Sequence, residues 1–294
     1  MNLESAHGVN TPGIKTIDKT VGENDEVPLE PDDATAYRAG AARCNFLALD
    51  RPDIQFAAKE VSRSMAKPTR GDVPKLKRLA RYLKDYPRAV FKFQFQAPQN
   101  VIRIYGDTDW AGCIKTRKST QGGIVLIGNN CLKNWSSTQA NIALSSAEAE
   151  YYGIVKAASI GLGLKSMFTD MGYSFKLEIL TDASAAKGIA SRRGLGKVRH
   201  LEVHYLWVQD HVANGTFCLR KVWGKENPAD LLTKYLDHQT IQKFSKFVGL
   251  EFLEGRAAAA PSIGGIFVSR RLAADRGKQV WAHAHTRSAR RQRT

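Results

Sequence analysis

The sequence predicts an α/β layer fold, and three observations carry that prediction. Three short strand-like stretches, "VIRIYGD" from Val101, "GGIVLIG" from Gly122 and "CLKNWSS" from Cys131, follow one another with only Gly, Asn or polar turns between them, which reads as an antiparallel meander. A long helical pattern then runs from Ser145 to about Met171, and the strand "KLEIL" follows it from Lys176. Beyond that strand, helical and extended patterns alternate, giving the order βββαβαα(β)α.

Taken along the chain, residues 1–34 are polar, acidic and poor in aromatics, and predict an unstructured leader. In "RPDIQFAAKEVSRSM", Pro52 opens a helix with Ile54, Ala57, Ala58, Val61 and Met65 at helical spacing. "DVPKLKRLARYLKDYP" repeats the pattern, with Leu76, Leu79 and Leu83 on one face and Pro87 past the end. Lys75, Lys77, Arg78, Arg81 and Lys84 surround that apolar stripe, either as a phosphate grip or as a solvated face. After "KLEIL" come a short helix around Ala185–Arg192, the loop "SRRGLGKVRH", a helical stretch from His200 to about Val212, the strand "TFCLRKVW", and a closing helix led by "ENPAD".

The charge is strongly basic, +16 over 294 residues, but unevenly spread. Residues 1–37 carry 2 basic and 8 acidic side chains, 38–100 carry 14 and 5, 101–250 carry 19 and 12, and 251–294 carry 9 and 3. A basic excess through the folded part points to a polyanionic partner, most simply nucleic acid. No apolar run reaches membrane-spanning length and the N-terminus lacks a secretory pattern, so the expectation is an intracellular protein, cytoplasmic or nuclear, without a membrane partner. Cys44, Cys113, Cys131 and Cys218 lie too far apart for a paired zinc or redox motif and read as reduced, mostly buried thiols.

The chemistry sits in the acids. Asp107 ends the first strand and Asp182 ends "KLEIL" in the same way, although one acid after a strand is an ordinary turn residue. In "LSSAEAEYYGIV", Ser145 and Glu148 have capping-box spacing, which gives Glu148 a structural role. Glu150 points about 200° away from Glu148, near the face that packs on the sheet, and needs a partner there. Asp230 in "NPAD" follows Asn227 as cap and Pro228 at the first helical position, so it also fits a simple dipole-favouring acid. Brought together, Asp107, Glu150, Asp182 and Asp230 repel one another unless divalent cations neutralise them, and an oxygen-only set selects Mg2+ or Mn2+.

Six motifs in order, "YGDTDWAG", "RKSTQGG", "ALSSAEAEYYGI", "LTDASAAKGI", "VRHLEVHYLWVQD" and "NPADLLTK", resemble the ribonuclease H domain of copia-type retrotransposon Pol polyproteins, over about residues 100–240. The upstream "YRAGAARCNFLALDRPDIQFAAKEVSRSMAKPT" through "LKRLARYLKDYP" resembles the end of the same polyprotein's reverse transcriptase, without the acidic motif of the polymerase palm. The resemblance implies a ribonuclease H-like fold, a mixed five-stranded sheet of three antiparallel strands then two parallel ones with flanking helices, preceded by a small helical segment. It implies that Asp107, Glu150, Asp182 and Asp230 are catalytic metal ligands, with Asp109 left to the turn. The chemistry implied is hydrolysis of the RNA strand of an RNA–DNA hybrid by two Mg2+ (or Mn2+) ions about 3.5–4 Å apart, leaving a 3′-hydroxyl and a 5′-phosphate. A reverse transcriptase polymerase domain is the implied partner besides the hybrid.

Within the domain, Arg192, Arg193, Lys197 and Arg199 form the densest basic cluster and are candidates for phosphate contact, as against an ordinary solvated loop. Trp110, Trp135 and Trp223 are read as core or turn residues rather than stacking platforms. No histidine lies between Arg220 and Asp230, where cellular ribonucleases H carry one, so none is assigned a catalytic role. The expected organisation is an acidic leader over 1–34, a helical remnant over 35–98, the ribonuclease H-like domain over 99–240, and a short helix with a low-complexity basic tail over 241–294. Two readings stand at this point: an active hybrid-cleaving nuclease, and a decayed or repurposed retroelement fragment that binds nucleic acid without cutting it.

Overall fold

Proline sets the start of each of the first three helices. Helices α1 (Pro31–Leu47) and α2 (Pro52–Ser62) open on Pro at the first helical position, where a missing N–H costs nothing, and α3 (Val73–Asp85) carries Pro74 in its first turn. The computed structural model describes residues 6–15, 23–196, 198 and 200–255. Described residues up to Leu253 belong to one compact unit.

The three helices bury Tyr37, Ile54, Ala58, Leu76, Leu79 and Tyr82 in a core of their own. Tyr82 takes the fully buried place expected for Leu83, which packs at the margin. α1 begins inside the stretch whose composition suggested an unstructured leader, because Pro31 and the first-turn acids Asp32 and Asp33 favour a helix start. Residues 6–15 lie along α3: Arg78 donates to the Thr11 hydroxyl at 2.7 Å, and Arg81 and Lys84 donate to the carbonyls of His7 and Ala6. Part of the basic face of α3 thus holds the chain's own N-terminal segment.

Strand β1 (Arg88–Phe91) precedes the main sheet, which comprises β2 (Val101–Asp109), β3 (Thr120–Ile127) and β4 (Asn130–Thr138). After α4 (Ser146–Asp170) come β5 (Lys176–Thr181), α5 (Ser184–Ala190), α6 (Trp207–Ala213) and β6 (Cys218–Lys221). The spatial order is β4-β3-β2-β5-β6, with β2, β3 and β4 antiparallel and β5 and β6 parallel to β2. This is the ribonuclease H-like sheet expected from the sequence.

Each strand alternates its faces. Ile102, Ile104, Val125 and Ile179 point into a core closed by α4 and α5, while Ile124, Leu126 and Leu231 point into a second core closed by α7 (His238–Phe247). The closing element differs from expectation. "PADLL" forms a single 3-10 turn, Pro228–Leu232, because Ala229, Leu231 and Leu232 are all buried against the sheet, and α7 starts afresh at His238 under the Asp237 cap. α7 therefore straddles residue 240, and β7 (Leu250–Leu253) returns to pair antiparallel with β1. Lys59 of α2 and Arg63 at its C-cap donate to Thr120 and Thr138, tying the helical segment to the sheet. Among the described residues no helix is long and apolar enough to cross a membrane. The tail expected over 256–294 lies outside the described residues.

Candidate active site

Asp107 and Asp182 reach the same end of the sheet because β2 and β5 run parallel, with Tyr105 opposite Leu180. Asp107 is buried, 3% exposed, two residues before β2 ends at Asp109. Glu150 arrives from the first turns of α4, and Gly153 lets that helix close in: a Cβ there would lie 2.6 Å from the Thr108 hydroxyl. One carboxylate oxygen from each of Asp107, Glu150 and Asp182 lies within 4.8 Å of the others.

This proximity is electrostatically costly. Burial, with the charges of Asp107 and Asp182, pushes the Glu150 carboxyl up to about 9. Burial and Asp107 raise Asp182 as well. Asp230 stands beside the triad rather than inside it. Its carboxyl is pushed up to about 7 by burial and by Asp107, and it pairs at 2.9 Å with the ammonium of Lys234. That ammonium also lies 3.4 Å from Asp107. Burial opposes the Lys234 charge, but Asp107 and Asp230 more than offset this and hold it well above the ordinary lysine range.

The turn carrying Asp230 is fastened from both sides. The Asn227 side chain accepts from the Ala229 N–H at 3.2 Å, the cap expected from "NPAD", and donates to the Gly106 carbonyl at 3.0 Å. The Thr233 hydroxyl donates to Asp107. Thr233 and Lys234 are site residues that sequence reasoning passed over, although both stand in the "NPADLLTK" motif.

Glu148 does more than cap. Ser145 accepts from the Glu148 N–H at 3.2 Å as expected, but the Glu148 carboxylate, 2% exposed, accepts from the Leu144 N–H at 2.7 Å and the Tyr152 hydroxyl at 2.6 Å. His200 completes its surroundings at 2.9 Å. Asp109 closes β2 opposite Thr120 and is not part of the triad.

The basic cluster is divided. Arg192 turns back on its own loop and donates to the Leu195 carbonyl, so it braces the loop, whereas Arg193 is exposed. Lys197 and Arg199 lie outside the described residues. Buried Gln209 holds the loop through Gly194 and Ile189. Trp110 sits exposed in a turn, fixed by donation to the Ala143 carbonyl at 3.0 Å, Trp223 sits exposed on the extended residue before the 3-10 turn Gly224–Glu226, and Trp135 packs on the main core. The four cysteines are free, with Cys44 and Cys131 buried.

Three carboxylates from three separate elements offer only oxygen, which suits a hard divalent cation and can hold one. Comparison with known proteins places the chain. It is 28% identical over 268 residues to the retrovirus-related Pol polyprotein from transposon RE2 of Arabidopsis thaliana, covering 90% of this chain and 18% of that protein. It is 28% identical over 259 residues to the Pol polyprotein from transposon TNT 1-94 of Nicotiana tabacum, covering 85% of this chain and 19% of that one. The chain is similar over most of its length to retrotransposon Pol polyproteins. The chain spans less than a fifth of the length of those relatives. No protein-family model matches it. The N-terminal RNase H domain of rv2228c from Mycobacterium tuberculosis shares 18% identity over 49% of this chain and 96% of that one, at a TM-score of 0.34.

Proposed function

We propose that this chain is the hybrid-cleaving ribonuclease part of a retrotransposon Pol polyprotein, hydrolysing the RNA strand of RNA–DNA hybrids with two Mg2+ or Mn2+ ions. The observation that carries the reading is the convergence of Asp107, Glu150 and Asp182 from a strand end, a helix start and a second strand end. Fully ionised, such a cluster repels itself, and a bound cation supplies the opposing charge.

Asp107, Glu150 and Asp182 would hold the metal, with Asp230 joining them as the fourth ligand. A bound divalent ion supplies the charge that keeps these acids ionised together and lowers the pKa of water held there. The protein's own contribution is positioning. The Asn227 and Thr233 contacts fix Asp230 and Asp107 against each other before substrate arrives. Lys234 keeps positive charge beside Asp107 and Asp230, which favours the approach of a phosphate. The hybrid would be selected by groove shape and 2′-hydroxyl contacts, with Arg193, Lys197 and Arg199 toward phosphates and Arg192 shaping the loop. Intracellular action beside a polymerase domain belongs to the same reading.

The test is a cleavage assay on an end-labelled hybrid with Mg2+ and with EDTA. Metal-dependent cutting of the RNA strand supports the nuclease. Binding of the hybrid without cutting, at any Mg2+ or Mn2+ concentration, would favour the fragment that binds without cleaving.

A further inference from the structure

A second concavity opens on the same sheet face as Asp107, at the other end of β2. Arg103 and Asp107 are four residues apart on one face of the strand, about 13 Å. Tyr105 lies between them, packed edge-on against Phe247 of α7 with ring centroids 5.6 Å apart. The concavity holds about 350 Å3, and no carboxylate lines it. That size falls within the range of about 300–1,000 Å3 typical of small-molecule sites.

We infer that this pocket binds a nucleoside phosphate. Three cations from three separate elements face it: Lys92 just after β1, Arg103 on β2 and Lys246 in the last turn of α7. Lys92 is paired with Glu251 at 2.7 Å, and Arg103 reaches Glu178 Oε2 only at 3.4 Å while Arg220 pairs with Oε1 of the same carboxylate at 2.8 Å. Lys246 and the side-chain amides of Gln94 and Asn129 have no protein partner among the described residues. Three lining cations thus stand beside two carboxylates that lie outside the lining, and one of those, Glu178, is shared with Arg220, also outside it.

The walls are built rather than incidental. Lys92 donates its N–H to the Gly249 carbonyl at 2.8 Å. Gln94 and Asn130 exchange backbone–amide bonds at 3.1 and 3.3 Å, and Gln96 bonds Ile127 and Asn129. Gly128 and Gly249 turn the chain at φ +59° and +79°, and a Cβ at Gly128 would strike the Gln96 amide. Phe247 is 45% exposed at the rim, a face on which a base can stack. Cations for phosphate, amides for a base edge and an aromatic face together match a nucleotide better than a bare anion.

The nucleotide comes either free or as a unit of a strand, and binding by the full chain in EDTA, which keeps the carboxylate site out of play, separates the two. AMP, inorganic phosphate, adenosine and a labelled oligodeoxyadenylate are titrated against wild type, Lys246→Glu, Arg103→Ala and the distant exposed control Lys156→Glu, with thermal melts confirming folding. AMP should bind saturably and more tightly than phosphate or adenosine, and each pocket variant should weaken it by about tenfold or more, with the control unchanged. If the oligonucleotide competes with AMP and weakens in the same variants, the pocket takes a strand. If only AMP weakens, it takes a free nucleotide. Absence of saturable AMP binding, or AMP binding indifferent to both variants while they remain folded, overturns the inference.

Discussion

The ammonium of Lys234 lies 3.4 Å from Asp107 Oδ2 while it pairs at 2.9 Å with Asp230 Oδ1. One lysine therefore bridges the buried triad and the acid that stands outside it. Without a metal, its charge offsets part of the repulsion within this cluster.

Replacing Lys234 by Met should lower stability in EDTA. The side chain is 41% exposed, so solvent screening limits the loss to about 1 kcal/mol. Added Mg2+ should recover more stability in Lys234→Met than in wild type, since the ion takes over the neutralising role. Urea denaturation with and without Mg2+ measures both effects, and equal Mg2+ responses in the two proteins would contradict this account of Lys234.

Stability should also depend on pH in a direction that metal reverses. Glu150 at about 9 and Asp230 at about 7 stand above their ordinary values of 4.5 and 3.8, so the metal-free native state binds more protons than the unfolded chain between these limits. Their favourable contribution is therefore complete below about pH 4, the unfolded carboxyl range, and is lost as pH rises through about 7 and 9. In EDTA, midpoints should fall from pH 6 to pH 9. With Mg2+ the ionised acids are the ligands, so its stabilisation should grow over the same interval. A flat EDTA profile across that window would remove the electrostatic basis of the site.

Glu148 should matter to folding more than its capping position suggests. Glu148→Ala leaves the Leu144 N–H and the Tyr152 hydroxyl without their buried acceptor, a loss of about 1–3 kcal/mol. Glu148→Gln keeps one acceptor oxygen and should lose less. Glu150→Gln should show the opposite pattern, with cleavage falling by orders of magnitude and EDTA stability unchanged or improved. Chemical denaturation alongside single-turnover cleavage separates the two, and a reversed ranking would mean that Glu148 is the ligand.

Gly122, which faces Asp107 across the β2–β3 pair, offers a test that alters no carboxylate. A Cβ there would lie 2.7 Å from Leu232 Cβ and 2.9 Å from Thr233 Cγ2. Gly122→Ala should push out the turn that carries Asp230 and Thr233, costing about 1–3 kcal/mol and lowering cleavage with all four acids intact. Wild-type activity in this variant would show that the Thr233–Asp107 contact does not matter.

What was legible in the sequence was local. Strand alternation around Ile102 and Ile104, the Ser145 cap and the Asn227–Pro228 start are short-range patterns, and each appears in the fold. Asp107 and Asp182 stood out because each follows a strand-like run, although β2 continues to Asp109 and β5 stops at Thr181, and Glu150 because its helical angle differs from that of Glu148. The contributions of Lys234 and Thr233 were hidden, since they follow from how the turn after Pro228 packs on β3. The β1–β7 pair was hidden for the same reason: four residues on each side, with most of the chain between them, carry no local signal. Docking of residues 6–15 on α3 likewise depends on a basic face whose partner is distant in sequence.

The most direct measurement is single-turnover cleavage of an end-labelled RNA–DNA hybrid across a Mg2+ titration, with wild type beside Asp182→Asn and binding measured on the same samples. Wild type should cut only the RNA strand and only with metal, while Asp182→Asn binds the hybrid equally or more tightly and loses cutting by orders of magnitude. Unchanged cleavage by folded Asp182→Asn, or cutting by wild type in EDTA, would contradict the carboxylate site described for this chain.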